Sequence, residues 1–306
     1  MHLGFLTVCL GNMPLKDKAK WASENGFKSL EIACWPQLND RDYSSCDIDV
    51  ETLTEEEAEE IKKYLKDLGL SISSLAYYDN NLHPDPEKRA FINNHTKKCI
   101  DAAAMLGTSM VGTFIGRNPE KNLKENFDEF EEVFGDIVSY AESKGVKVII
   151  ENCPMEGWQK EGLPGTISFT PELWEEMFRR IPSMSFGLNL DPSHLLFQLI
   201  DYVKVVPAFK DRIFHVHAKD AEIFKDKLEW YGVFNRQFHK KGETGYWRFR
   251  MPGLGQVDWN KFIKALKDVG YDGVISIEHE DPLYEGSEKK VKEGLKLGYD
   301  HLKQFI

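Results

Sequence analysis

Cysteine is scarce and poorly placed for a scaffold. The five are Cys9, Cys34, Cys46, Cys99 and Cys153, an odd number with no C-x-x-C spacing. That argues against a disulfide framework and for reduced thiols in a cytoplasmic protein. Positive charge is also short: 39 Lys and Arg face 50 Asp and Glu, for a net charge of −11. Such a balance opposes a phosphate backbone, so nucleic acid is not an expected partner, and the surplus acid reads as a solubility feature. No apolar stretch approaches the ~20 residues of a membrane span. The N-terminal Met1-His2-Leu3-Gly4-Phe5-Leu6 lacks the basic segment and cleavage site of a secretory leader. Linker-like and low-complexity segments are missing too, so one domain over residues 1–306 is expected.

What the chain does have is a short apolar run used eight times. Residues 3–9, 30–35, 70–77, 110–115, 146–151, 184–190, 213–217 and 273–278 read as strands, each followed by a helical pattern. Helix signals separate them. Thr54 with Glu57 forms a capping box, Thr170-Pro171 opens a helix, and Gly69, Gly107 and Gly145 close others. One further helix is expected around 194–206. The runs are apolar throughout rather than alternating, as in a parallel sheet covered on both sides. Eight such units predict an α/β fold, a (β/α)8 TIM barrel. A doubly wound sheet is the alternative, but Cys9-Leu10-Gly11-Asn12-Met13-Pro14 after the first strand lacks its glycine fingerprint. Two connections are long. One spans 36–53. The other, an insertion at 221–257 read as irregular, carries Trp230, Tyr231, Phe234, Phe238, Tyr246, Trp247 and Phe249. Both follow strands and so belong to the catalytic face. The second reads as a lid or substrate wall, or as an aromatic patch for a homo-oligomer or partner subunit.

Four strands end in ionisable groups: Glu151, Asp191, His217 and Glu278. On neighbouring strands of a barrel these tips converge. Three carboxylates in one cavity repel unless a cation joins them. Mixed carboxylate and imidazole donors suit Mn²⁺, Mg²⁺, Co²⁺ or Zn²⁺. His215 and Lys219 share the strand parity of His217. His215 reads as a core histidine, and Lys219 as a partner of a substrate oxygen or of Glu280. Glu31 on the second strand reads as a buried structural carboxylate or a substrate contact. His83, Arg117, Glu156 and Trp158 follow strand ends and face the mouth. Arg248 and Arg250 flank Phe249 as a possible phosphate clamp, though a non-phosphorylated sugar or glycoside is favoured.

Several motifs resemble the xylose-isomerase-like sugar isomerase/epimerase superfamily. They are Ile149-Ile150-Glu151-Asn152, Asp191-Pro192-Ser193-His194, His217-Ala218-Lys219-Asp220, Pro252-Gly253-Leu254-Gly255 with Asp258-Trp259, and Ile277-Glu278-His279-Glu280. The resemblance implies one divalent ion, with Mn²⁺ expected, on Glu151, Asp191, His217 and Glu278. It also implies His194 on the sugar, and Glu151 and Glu278 as an acid/base pair. These would move a proton next to a carbonyl through a cis-enediolate. Lys219, Arg250, Trp158 and His83 join His194 as candidate substrate contacts. A keto-glycoside epimerase or lyase is the alternative. A non-catalytic sugar-binding subunit is a weaker reading. So is an apurinic-endonuclease-like nuclease: the chain has Gly116-Arg117 where that resemblance requires a histidine.

Overall fold

A computed structural model describes residues 1–39, 41–158, 160, 163–233 and 245–306. Among them, eight parallel strands close a barrel in the order β1-β10-β7-β6-β5-β4-β3-β2. They are β1 (His2–Leu6), β2 (Ser29–Ala33), β3 (Ser71–Asn80), β4 (Met110–Phe114), β5 (Lys147–Glu151), β6 (Phe186–Leu190), β7 (Ile213–Ala218) and β10 (Val274–Ile277). Their apolar residues are nearly all buried, because helices cover the outside and side chains fill the inside. The order puts β5, β6, β7 and β10 side by side, so their C-terminal tips share one quadrant of the mouth.

The helices start where the sequence signals them. Thr54 and Asn122 form capping boxes with Glu57 and Glu125 at the heads of α2 (Glu55–Asp67) and α4 (Leu123–Ser143). Between them, α3 (Pro86–Leu106) opens on Asp85 and Pro86. Before them α1 (Leu15–Glu24), and after them α5 (Pro171–Arg180), continue the outer layer.

Two expectations are corrected. The helix read around 194–206 is two short ones, α6 (Pro192–Leu196) and α7 (Tyr202–Ala208). Leu199 turns to a φ of 61° between them, and Asp201 caps the second through the amides of Val203 and Lys204. Among its described residues, the segment 221–257 is not irregular. It holds β8 (Asp220–Ile223), α8 (Lys225–Tyr231) and β9 (Trp247–Arg250), with β8 and β9 paired antiparallel. Phe234 and Phe238 lie outside the described residues. Asp220 gathers the base of this excursion: its carboxylate accepts from the amides of Ala221, Gly253 and Val257 and from the Trp259 indole at 2.9–3.0 Å. After it come α9 (Trp259–Asp268) and α10 (Glu288–Leu302). Among the described residues no helix is long and apolar enough to cross a membrane.

Candidate active site

Glu151 ends β5, Asp191 follows β6, His217 lies in β7 and Glu278 follows β10. One ligand atom from each lies within 4.8 Å of the others, and all four residues are buried. His217 Nδ1 is 3.0 Å from Glu151 Oε1 and 3.1 Å from Glu278 Oε2. Asn152 fixes the tips of β5 and β6 against each other. Its side-chain amide donates to the Asp191 carbonyl, and its side-chain oxygen accepts from the Asp191 amide. One Asp191 oxygen, Oδ1, caps α6 through the Ser193 amide, while Oδ2 is buried with no hydrogen-bond partner.

Lys219 enters the same space. Its ammonium is 2.7 Å from Glu278, 2.9 Å from Glu280, 3.5 Å from Asp191 and 3.8 Å from Glu151. Burial opposes ionisation of Glu151, but Lys219 and His217 outweigh it and hold the carboxyl well below its ordinary range. Burial likewise opposes charge on Lys219 and His217, and the surrounding carboxylates raise both. Burial pushes the Glu280 carboxyl up, with Lys219 pulling the other way.

Below this layer lies a second one that sequence reasoning left unresolved. Glu31 on β2 reaches across the barrel axis. It accepts from His217 Nε2 at 2.8 Å, from the Ser276 hydroxyl at 2.8 Å and from the Tyr78 hydroxyl at 2.6 Å. Tyr78 in turn accepts from Asn189, and His215 bridges Asn189 to Ser73. Burial pushes the Glu31 carboxyl up, but the two imidazoles and the hydrogen bonds bring it down to about 2. Glu31 is therefore the structural carboxylate of the two readings given to it, and His215 is a core histidine. Strand parity was the available signal for Glu31. Tyr78, Asn189 and Ser276 carried none, because a lone hydroxyl or amide inside a strand looks like any other.

The donor set fits a divalent ion. Three carboxylates and one imidazole converge, Asp191 Oδ2 has no donor, and Glu31 holds the far side of the His217 ring as such ligands require. Lys219 shares these oxygens. A dication and the ammonium compete for them unless the ammonium leans towards Glu280.

The other candidates separate. His194 joins the cluster, with Nε2 3.4 Å from Glu151 and 3.6 Å from Asp191, outside hydrogen-bonding geometry. Phe249 of β9 packs edge-on to His194 and lies under the Lys219 ammonium. Trp158 and His83 line a cavity of about 980 Å³ whose wall includes Glu280. Arg250 stands apart, bound to Glu222 and Asp281. Arg248 also pairs with Glu222, so the hairpin arginines are already neutralised. Among the described residues, none of 221–257 lines that cavity. The wall comes instead from described residues within 36–39, 41–43, 77–92, 117–119, 155–158, 160 and 163–165, with Glu280, and Trp247 of the hairpin stacks on Phe197. His279 faces outward against Gly294 of α10, as parity requires.

The sequence model for the xylose isomerase-like TIM barrel matches residues 19–304. The chain belongs to that family. Among similar proteins, the uncharacterized protein YfiH of Bacillus subtilis is 25% identical over 100% of this chain and 99% of its own length. An inosose dehydratase of Clostridium perfringens is 30% identical, over 39% of each chain. Two solved structures share the xylose isomerase-like barrel. The IOLI protein with a binding zinc atom superposes with a TM-score of 0.72 at 21% identity, covering 100% of this chain and 99% of that one. The D-psicose 3-epimerase of Clostridium cellulolyticum H10, solved with D-tagatose, gives 0.71 at 15% identity with the same coverage. The sequence model thus gives the family and the solved structures the same barrel fold, while the four buried donors of this chain form a candidate divalent-metal site.

Proposed function

We propose that the protein is a divalent-metal-dependent sugar isomerase or epimerase, with Mn²⁺ as the expected ion. The observation that carries this reading is the buried convergence of Glu151, Asp191, His217 and Glu278. Bound there, the ion supplies Lewis-acid polarisation of a carbonyl and its neighbouring hydroxyl. The rest is done by the chain. Glu151, kept ionised by Lys219 and His217, is the base that takes a proton from the carbon beside the carbonyl. Glu278, on the neighbouring side of His217, returns one. Return to the other face of the same carbon epimerises, and return to the adjacent carbon isomerises. His194 and Lys219 orient substrate oxygens, and Trp158 and His83 form part of the wall around it.

A second reading, loss of a β-substituent from the same enolic species, is favoured by one observation. Glu280 borders the cavity and holds the Lys219 ammonium at 2.9 Å, so this pair brings a proton to the edge of the space a leaving oxygen would occupy. The inosose dehydratase relative agrees with it. NMR of a ketose, keto-inositol and keto-glycoside panel in D₂O with metal-loaded protein tests both. Exchange with a rearranged sugar supports the first reading, and a dehydrated or aglycone-free product the second. The absence of any solvent exchange would sink both.

A further inference from the structure

We propose that the mouth of the barrel holds an anion subsite made by Arg41 and Arg117, and that the substrate carries a carboxylate or phosphate. This deepens the reading of the mouth as a substrate site and rests on it. Both residues line the 980 Å³ cavity. Each Nε is buried with no hydrogen-bond partner, and among the described residues neither guanidinium forms an ion pair. That contrasts with Arg248 and Arg250, which share Glu222. A buried, unsatisfied guanidinium N–H is costly, and two of them at one cavity call for an acceptor with several oxygens.

The arginines are held in place. Asn80 clamps the Arg117 backbone from both sides, donating to its carbonyl at 2.9 Å and accepting from its amide at 3.0 Å. Gly116, at a φ of 80°, lets Asn80 lie where a Cβ would collide. The Arg117 side chain itself is spared, with only a 3.4 Å contact to the Pro164 carbonyl. The Arg41 guanidinium carbon lies over the Trp158 ring, 4.5 Å from its centroid, a cation–π contact that holds the group at the cavity wall. The acidic groups among the described residues of the wall form no ion pair with them. Glu280 is bound to Lys219, Asp79 accepts from the Asn80 amide and faces the Tyr77 hydroxyl, and Asp42 is exposed. Glu280 also connects the two regions, since it borders the cavity and binds the ammonium that touches Glu278.

The test is calorimetric titration of the full chain with D-fructose, D-fructuronate and D-fructose 6-phosphate at low salt. The expected result is that one charged sugar binds about tenfold or more tightly than fructose, with an advantage that salt erodes. The carboxylate and phosphate arms tell the two sources of charge apart. Arg117→Gln and Arg41→Gln should each bring that affinity towards the fructose value and leave fructose unchanged. The Asn80 clamp uses only the backbone of residue 117, so it survives the first substitution. Equal binding of all three sugars, loss of all three in the variants, or no binding of either charged sugar would overturn the subsite. Metal titration without sugar is run alongside. Metal binding without charge discrimination fails the subsite alone, and discrimination without metal binding fails the metal reading alone.

Discussion

Two layers of polar side chains lie one above the other inside the barrel, and they are built to opposite rules. In the lower one, Glu31 has three donors, and Tyr78, Asn189, His215 and Ser73 continue the network. In the upper one, four carboxylates crowd two imidazoles and one ammonium, and Asp191 Oδ2 and both His194 nitrogens have no hydrogen-bond partner. A satisfied buried network rigidifies, and an unsatisfied one stores affinity for whatever completes it. On the proposed reading the lower layer is support and the upper layer the reactive part, and charge is concentrated in the upper one.

The comparison breaks first at Glu278. Replacing it with Gln should remove one ligand and one half of the proton-transfer pair, lowering solvent exchange by about 10²–10⁴-fold while far-ultraviolet dichroism stays native. Normal turnover in that variant would place the reactive layer elsewhere. Glu31→Gln tests the support. It should weaken metal binding by about 10–100-fold through the His217 ring and cost roughly 1–3 kcal/mol of stability. Unchanged metal affinity would mean that the layers are independent. Lys219→Met probes the competition within the upper layer. Without the internal ammonium, metal affinity in calorimetry should rise about tenfold, with turnover falling because a substrate contact is lost. A drop in affinity would show that Lys219 assists the ion rather than opposing it.

The last test falls on pH and His215. Burial, helped by His217 and opposed by Glu31, pushes its imidazole down to about 4. The unfolded chain, with an ordinary value near 6.5, therefore takes the proton first. The His215 contribution is complete above about 6.5 and is lost as pH falls towards 4, at about 1.4 kcal/mol per pH unit for one proton. His215→Asn should flatten the denaturation midpoint against pH over that window. An unchanged slope would mean that His215 is not the proton-excluding member of the lower layer.

The upper layer was largely legible in the sequence. Strand tips are where a barrel concentrates chemistry, so apolar runs ending in Glu151, Asp191 and Glu278 reveal themselves, and periodicity two puts His217 and Lys219 on the inside. The lower layer was legible only as parity at Glu31 and His215. Its partners Tyr78 and Asn189 are ordinary strand residues until closure of the barrel brings β2, β3, β6 and β7 around one axis. The hairpin of β8 and β9 was missed because its strands are four residues each and separated by 23 others. Arg250 looked like a ligand contact from its aromatic neighbours, but Asp281 follows β10 and comes near only in three dimensions. Arg41 escaped because nothing local marks an arginine that will stack on a tryptophan far along the chain.

Asp220 carries one last implication. By binding Ala221, Gly253, Val257 and Trp259, it seals the excursion at its neck. Beyond that neck β9 still touches the site, because Phe249 packs on His194 and lies under the Lys219 ammonium. Lengthening a loop costs only about 0.6 kcal/mol per doubling once its ends are pinned. The tip around α8 can thus be rewritten, by evolution or by an engineer grafting a new recognition element, while β8 and β9 keep Phe249 against His194 and Lys219.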